Sequence, residues 1–411
     1  MIMKVTKTNN LFGDVYISGS KNAALPCICA ALLTKEQVKL INVPDIEDVN
    51  NLLTIIKDLG VKVKKEEDIL TISAGRVKTK VINHLVSKLR GSYYLMGSLL
   101  ARKRKVQIIY PGGCEIGERP IDFHLQGFKE TGCEVNDTKE IIEISKKIDR
   151  ETSITFPSLS MGATINIILS TCIGNGITTI TNPSLEPETL CVIEMLNNMG
   201  ACIIIEDNKI KINGVKKLKG VNYHIIYDRI EAGSYLFLAG SIPFSKVTLH
   251  NVDHKHLEVV IVVARKIGIK ITKIDNGLIV EGPEKINKTN ILIGPYPFFP
   301  TDLQQILTVV LTRSDTSKIE DAIFPDRIAH LKELRKMHAY VYDYNRIIYI
   351  KKSKLKSSKV KATDLRCAFA LIIAGSMAKG TSYIMDIDYL FRGYVTPVKK
   401  LKAIGVNVEI I

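Results

Sequence analysis

The chain has 411 residues, 46% of them hydrophobic, and no tryptophan, with a mean hydropathy of +0.11. That is enough apolar material for at least two cores, so two domains of roughly 200 residues are expected. Lys+Arg exceed Asp+Glu by 57 to 42, a net charge of +15, which attracts anions without choosing among phosphates, nucleotides and nucleic acid. No apolar run reaches the ~18 residues of a membrane-spanning helix, so no bilayer crossing is expected.

The chain opens on "MIMKVTKTNNLFGDVYISGS". It alternates polar and apolar residues like a strand, unlike a basic-then-apolar export signal, so a cytoplasmic protein is expected. From there one pattern recurs six times: the end of an amphipathic helix, a stop residue, then an alternating strand. The stops are Gly60, Gly132, Gly200, Gly268, His338 and Gly405, at intervals of 72, 68, 68, 70 and 67. Glycine suits them because the residue after a helix commonly takes the left-handed conformation, which a Cβ makes costly. After the first five stops, "KEED", "NDTK", "EDNK", "IDNG" and "DYNR" separate two strand-like runs, which predicts hairpins. The sixth copy ends at "VNVEII" without a second strand, and "MKVTKTNN" at the start of the chain could supply it.

The other half of each copy is a strand, a helix rich in small residues, and a strand. These helices begin near Lys21, Arg90, Ser160, Arg229, Asp302 and Asp364. They are apolar nearly all round, as buried helices are, yet they start on polar residues. Free N–H groups and a partial positive charge make such starts anion sites. The expected fold is therefore α/β, with six repeated βαβαββ units in two three-unit lobes. The first lobe spans 21–228; the second spans 1–20 plus 229–411.

Eight cysteines without an export signal indicate reduced thiols. Seven lie in or beside apolar periodic segments: Cys27, Cys29, Cys133, Cys172, Cys191, Cys202 and Cys367. They are expected to be mostly core thiols. Cys114 differs, sitting in "IIYPGGCEIGERPIDFH" among glycines and followed by Arg119, Asp122 and His124. The two glycines suggest a loop mobile enough to close over a substrate. "DHKH" at 253–256 has no partner at zinc spacing, so no metal is expected. The basic runs "ARKRK" and "KKSKLKSSKVK" lack interleaved aromatics and read as solvated faces.

The segments "SGSKNAALP", "PGGCEIGERPIDFH", "EPE", "DRIEAGSY", "FPTDLQ", "PDRIAHLKELRKM", "DLRCAFALIIAGSMAKGTS" and "RGY" run through nearly the whole chain. In that order they resemble the UDP-N-acetylglucosamine 1-carboxyvinyltransferases, a family of enolpyruvyl transferases. The resemblance implies a two-domain inverted α/β barrel. It also implies transfer of the enolpyruvyl group of phosphoenolpyruvate to the 3-hydroxyl of UDP-N-acetylglucosamine, the start of peptidoglycan precursor synthesis, with no cofactor, metal, nucleic acid or membrane partner.

By the same resemblance Cys114 donates a proton to the enolpyruvyl methylene, and Asp302 is the general base beside the sugar hydroxyl. Lys21, Arg119, Arg327, Arg366 and Arg392 bind the phosphate and carboxylate of phosphoenolpyruvate or steady the closed state, Lys21 and Arg392 taking part in catalysis. Asn22, Arg90, Arg119, Pro120, Ile121, Asp122, Phe123, Ser160, Met161, Gly162, Asp302 and Ile323 match contacts to the nucleotide sugar. Glu186, Glu188, Asp228, Glu231 and Asp364 lie in matching motifs but suit helix caps and ion pairs equally well. Ser158 stands where many members carry a lysine, and Phe391 where an acidic residue usually precedes the arginine. The alternatives are a shikimate-phosphate enolpyruvyl transferase, which lacks the "PGGC" loop, a non-catalytic UDP-sugar-binding paralogue, and a basic nucleic-acid-binding repeat protein.

Overall fold

The computed structural model describes residues 1–112 and 121–411. The second repeat shows how each unit is made. A short strand, Lys80–Val81, leads through the 3-10 turn Arg90–Tyr93 into helix Tyr94–Lys103. Strand Lys105–Ile109, helix Asp122–Glu130 and the hairpin Cys133–Asp137/Ile141–Lys146 follow. The first two strands pair in parallel across the buried helix, and the hairpin adds two antiparallel strands at one edge. Five further four-stranded sheets among the described residues repeat this order, as the six-unit βαβαββ expectation requires.

Three sheets borrow a strand. Ile2–Thr6 pairs with Asn407–Ile410, from Thr6↔Asn407 to Met3↔Ile410, and so supplies the strand missing from the sixth copy. Asn222–His224 lies parallel to Gln37–Ile41 as the first strand of unit one. Phe12–Tyr16 lies parallel to Lys246–His250 as the first strand of unit four. The strand just ahead of the first buried helix therefore serves the fourth unit, and the one just ahead of the fourth buried helix serves the first.

Residue contacts divide the chain into two units. One comprises Met1–Ser18 and Tyr227–Ile411; the other comprises the described residues from Gly19 to Ile226. Within the latter, Tyr94–Lys103 packs on both Lys21–Ala30 and Met161–Thr171. Within the former, Arg229–Ser241, Gln304–Leu311 and Leu365–Met377 pack on one another. These helices are buried along nearly their whole length, which explains why they show no polar face. Arg102 of "ARKRK" is no solvated charge, since its guanidinium donates to Leu32 O at 2.7 Å and Ala74 O at 3.0 Å.

The stops behave as the helix-ending argument requires. Gly60, Gly132, Gly200, Gly268 and Gly405 have φ between +84° and +97°, and His338 has φ +63°. His338 bears a Cβ in the left-handed region, which costs about 1–2 kcal/mol, and its side chain is exposed. We expect His338→Gly to stabilise the protein by about 1 kcal/mol, read as a rise in urea midpoint; an unchanged or lower midpoint contradicts the strain.

Candidate active site

In the unit holding residues 227–411, the expected base is clamped between two expected anion binders. Asp302 lies in the 3-10 turn Thr301–Leu303 that leads into helix Gln304–Leu311. Its Oδ1 accepts from Arg327 Nη1 at 2.9 Å, and its Oδ2 from Arg366 Nη2 at 2.9 Å and Nε at 3.2 Å. It makes no capping bond. Arg366 is placed by helix Leu365–Met377, whose N-cap Asp364 accepts from the N–H groups of Arg366 and Cys367. Asp364 also lies 3.5 Å from Arg327 Nη2 and accepts from Gln305 Nε2 at 2.9 Å. Arg327 follows strand Ser317–Asp321 and donates to Thr301 O as well.

Burial alone would raise the Asp302 carboxyl, but the charges of Arg366 and Arg327 outweigh it and hold the group well below the usual carboxylate range. Asp302 is therefore ionised throughout the working pH range. Both arginines are almost fully buried, and each keeps one buried N–H group without a protein partner among the described residues, Nε of Arg327 and Nη1 of Arg366. The Arg366 guanidinium also lies over Tyr394, 5.3 Å from the ring centroid. Arg392 ends the 3-10 helix Ile387–Arg392 two residues earlier. Ile323 follows the same strand as Arg327, its N–H held by Asp321 Oδ1 at 2.9 Å.

His330, one turn beyond Arg327, is fully buried with neither ring nitrogen hydrogen-bonded among the described residues. Burial pushes it down to about 3, against the pull of Asp364. Between pH ~6.5 and ~3 the unfolded chain binds the proton and the native state does not, so stability falls as pH is lowered through that window. We expect His330→Leu to narrow the gap in melting temperature between pH 7 and pH 5, measured by thermal denaturation; an unchanged gap contradicts the assignment.

In the other unit, Lys21 starts helix Lys21–Ala30 behind the N-cap Ser20, with Asn22 beside it. Lys21 Nζ lies 3.0 Å from Asp48 Oδ2. A second group gathers Arg90, Ser160, Met161 and Gly162. Ser160 caps helix Met161–Thr171, accepting from Ala163 N. Arg90 donates to Pro111 O at 3.3 Å and lies 5.7 Å from the Tyr93 ring centroid. Tyr93 in turn packs on His124, centroids 4.6 Å apart. Ile121 is buried, Asp122 opens helix Asp122–Glu130 on an exposed position, and Phe123 faces Phe156 at 6.4 Å. Cys114, Arg119 and Pro120 lie outside the described residues.

Three of the polar residues from matching motifs, Asp228, Glu231 and Asp364, are caps or ion-pair partners within a unit. Asp228 caps helix Arg229–Ser241. Glu231 accepts from Lys400 Nζ at 2.7 Å and Ser18 N at 2.7 Å. The other cysteines are buried apart from the half-buried Cys202, and burial pushes the thiols of Cys172 and Cys367 up to about 12, so they are poor nucleophiles. Among the described residues no cluster of His, Cys, Asp or Glu could hold a metal ion, and no helix is long and apolar enough to cross a membrane. Sequence reasoning passed over Asp48, Tyr93, Asn166 and Tyr394, and noted His124 beside the cysteine loop without giving it a role. Asn166 had a visible signal, a lone amide in the otherwise apolar "INIIL".

Six βαβαββ units whose buried helices start on polar residues define an enolpyruvyl-transferase fold, and comparison with known proteins agrees. The family model described as EPSP synthase (3-phosphoshikimate 1-carboxyvinyltransferase) matches residues 5–401, and the chain belongs to that family. The solved enolpyruvyl transferase NikO from Streptomyces tendae has the same fold, with a TM-score of 0.90 at 19% identity over 99% of this chain and 98% of that one. Within the family the chain belongs with the UDP-N-acetylglucosamine 1-carboxyvinyltransferases. It is 38% identical to UDP-N-acetylglucosamine 1-carboxyvinyltransferase 2 of Staphylococcus epidermidis over 99% of this chain and 98% of the relative. It is 39% identical to the Halothermothrix orenii enzyme of the same activity over 98% and 97%.

Proposed function

We propose that this protein transfers the enolpyruvyl group of phosphoenolpyruvate to the 3-hydroxyl of UDP-N-acetylglucosamine and releases phosphate, the first committed step of peptidoglycan precursor synthesis. The observation that carries this reading is the full-length likeness to relatives named for that activity. Both substrates are multiply charged and do not cross a bilayer unaided, which supports a cytoplasmic place of action.

The chemistry has three tasks. Protonating the methylene carbon of phosphoenolpyruvate makes the neighbouring carbon that bears the phosphate electrophilic, and Cys114 is the donor. The sugar 3-hydroxyl adds to that carbon, losing its proton to Asp302; phosphate then leaves as the methyl carbon gives back a proton. Lys21, Arg119, Arg327, Arg366 and Arg392 hold the phosphate and carboxylate, arginine forks suiting both groups bidentately. Asn22, Arg90, residues 119–123, residues 160–162 and Ile323 hold the nucleotide sugar.

A carboxylate gripped by two arginines accepts a hydrogen bond well but is a weak base. Phosphoenolpyruvate competes for the same guanidinium forks. As Arg327 and Arg366 turn toward its negative groups, Asp302 loses their stabilisation and regains basicity. The anionic substrate thus helps to activate the base that attacks it.

With purified protein we expect phosphate release that requires both phosphoenolpyruvate and UDP-N-acetylglucosamine and falls to background in Cys114→Ala. Release with shikimate 3-phosphate in place of the nucleotide sugar, or turnover untouched by the cysteine change, contradicts the reading.

A further inference from the structure

Helix Met161–Thr171 is buried throughout its interior, yet it carries Asn166 at 0% exposure. A buried amide is costly unless bonded, and this one binds three elements. Its Oδ1 accepts from Gly97 N at 3.0 Å, and its Nδ2 donates to Tyr93 O at 3.1 Å. A backbone N–H can only donate and a carbonyl can only accept, so these two partners fix which way the amide points. Nδ2 also lies 2.8 Å from His124 Nδ1. That ring nitrogen must therefore accept, and the proton of the neutral imidazole sits on Nε2.

The Nε2 side of the ring faces the start of the same helix. A Cβ added to Gly162 would lie 3.0 Å from His124 Nε2 and 2.8 Å from Tyr93 Oη. His124 is only 5% exposed, and no described residue accepts from its Nε2. At the helix start Ser160 takes the N–H groups of Ala163 and Thr164, while the first two N–H groups of a helix have no partner within it. Burial, aided by the nearby charge of Arg90, lowers His124 to about 3, so the imidazole stays neutral across the working range. Arg90 is the charged group that faces it; Tyr93 and Asn166 complete its surroundings.

We propose that Asn166 is a positioning residue that locks His124 as the Nε2–H tautomer, and that this fixed neutral donor, with the start of helix Met161–Thr171, hydrogen-bonds the diphosphate of the nucleotide sugar. The inference rests on the UDP-sugar reading above. A neutral donor avoids the like-charge cost of an imidazolium beside Arg90 and makes nucleotide affinity independent of histidine titration.

The test is UDP binding by calorimetry between pH 5.5 and 8, with the His124 tautomer read by nitrogen NMR. In the parent, Nε2 should carry the proton throughout and affinity should show no histidine inflection. Asn166→Asp replaces the donor to Nδ1 with an acceptor, which pulls the proton to Nδ1 and turns an Nε2 lone pair toward the phosphates. Its affinity should be about tenfold weaker at pH 8 and recover toward pH 5.5 as imidazolium forms. A lost contact of merely structural origin would weaken binding equally at every pH. His124→Gln, whose amide can present a donor at the Nε2 position, should bind within about threefold of the parent, which keeps the test valid if Asn166→Asp misfolds. An Nδ1–H parent, a pH-independent loss in Asn166→Asp, or a tenfold loss in His124→Gln overturns the proposal alone. A parent that binds neither UDP nor UDP-N-acetylglucosamine overturns the nucleotide-sugar reading and this proposal together.

Discussion

Asp302→Ala should abolish phosphate release and also destabilise the fold by about 3–5 kcal/mol, the range seen when one partner of a buried ion pair is removed. Arg327 and Arg366 are 4% and 2% exposed, so without Asp302 two buried guanidinium groups would be left with the charges of Asp364 beside Arg327 and Asp228 near Arg366. Adding Arg327→Met should recover part of the stability and none of the activity, separating the structural clamp from the chemistry. Because Asp302 is held ionised, the profile of kcat/KM against pH, which reports the free protein, should show no Asp302 inflection between pH 5 and 8. The kcat profile reports the loaded protein, where phosphoenolpyruvate draws the arginines away, and there a carboxylate inflection should rise into view. An Asp302→Ala protein that melts like its parent rules out the clamp, and one that turns over normally rules out the base.

How much of this was legible in the sequence depends on how far apart the cooperating residues lie. Gly60, Gly132, Gly200, Gly268 and Gly405 were readable because a helix end and its hairpin are local, and their positive φ values follow from the same local need. The pairing of Ile2–Thr6 with Asn407–Ile410 was readable because one copy of a repeat lacked a strand. The exchanged strands Phe12–Tyr16 and Asn222–His224 were not, since a parallel pair has no turn signal and each sits next to the wrong helix in sequence. Asp302 was found as a polar helix start, but its grip by arginines 25 and 64 residues away was invisible. Composition and spacing report residue types; which charge faces which is decided by packing.

Gly112→Ala should lower turnover about a hundredfold, for a reason separate from the loop mobility expected of "PGG", which falls on a segment outside the described residues from Gly113 onward. A Cβ on Gly112 would sit 1.6 Å from the backbone oxygen of Ser87 and 2.5 Å from its carbonyl carbon. Gly112 N donates to Val86 O at 3.2 Å, and Arg90 Nη1 holds Pro111 O at 3.3 Å. The chain is thus pressed onto the 3-10 turn His84–Lys88 two residues ahead of Cys114, and glycine is there for close approach. Alanine must lift the strand exit off Ser87, at about 1–3 kcal/mol for the overpacking. It also displaces the origin of the cysteine segment, and an error of about 1 Å in a reacting group costs on the order of a hundredfold. Gly75→Ala is the control, because its Cβ would meet nothing within 4 Å, and its turnover and melting temperature should stay near those of the parent. Steady-state phosphate release and thermal denaturation on both variants decide the point. If Gly112→Ala turns over like Gly75→Ala, the position of Cys114 does not depend on this contact.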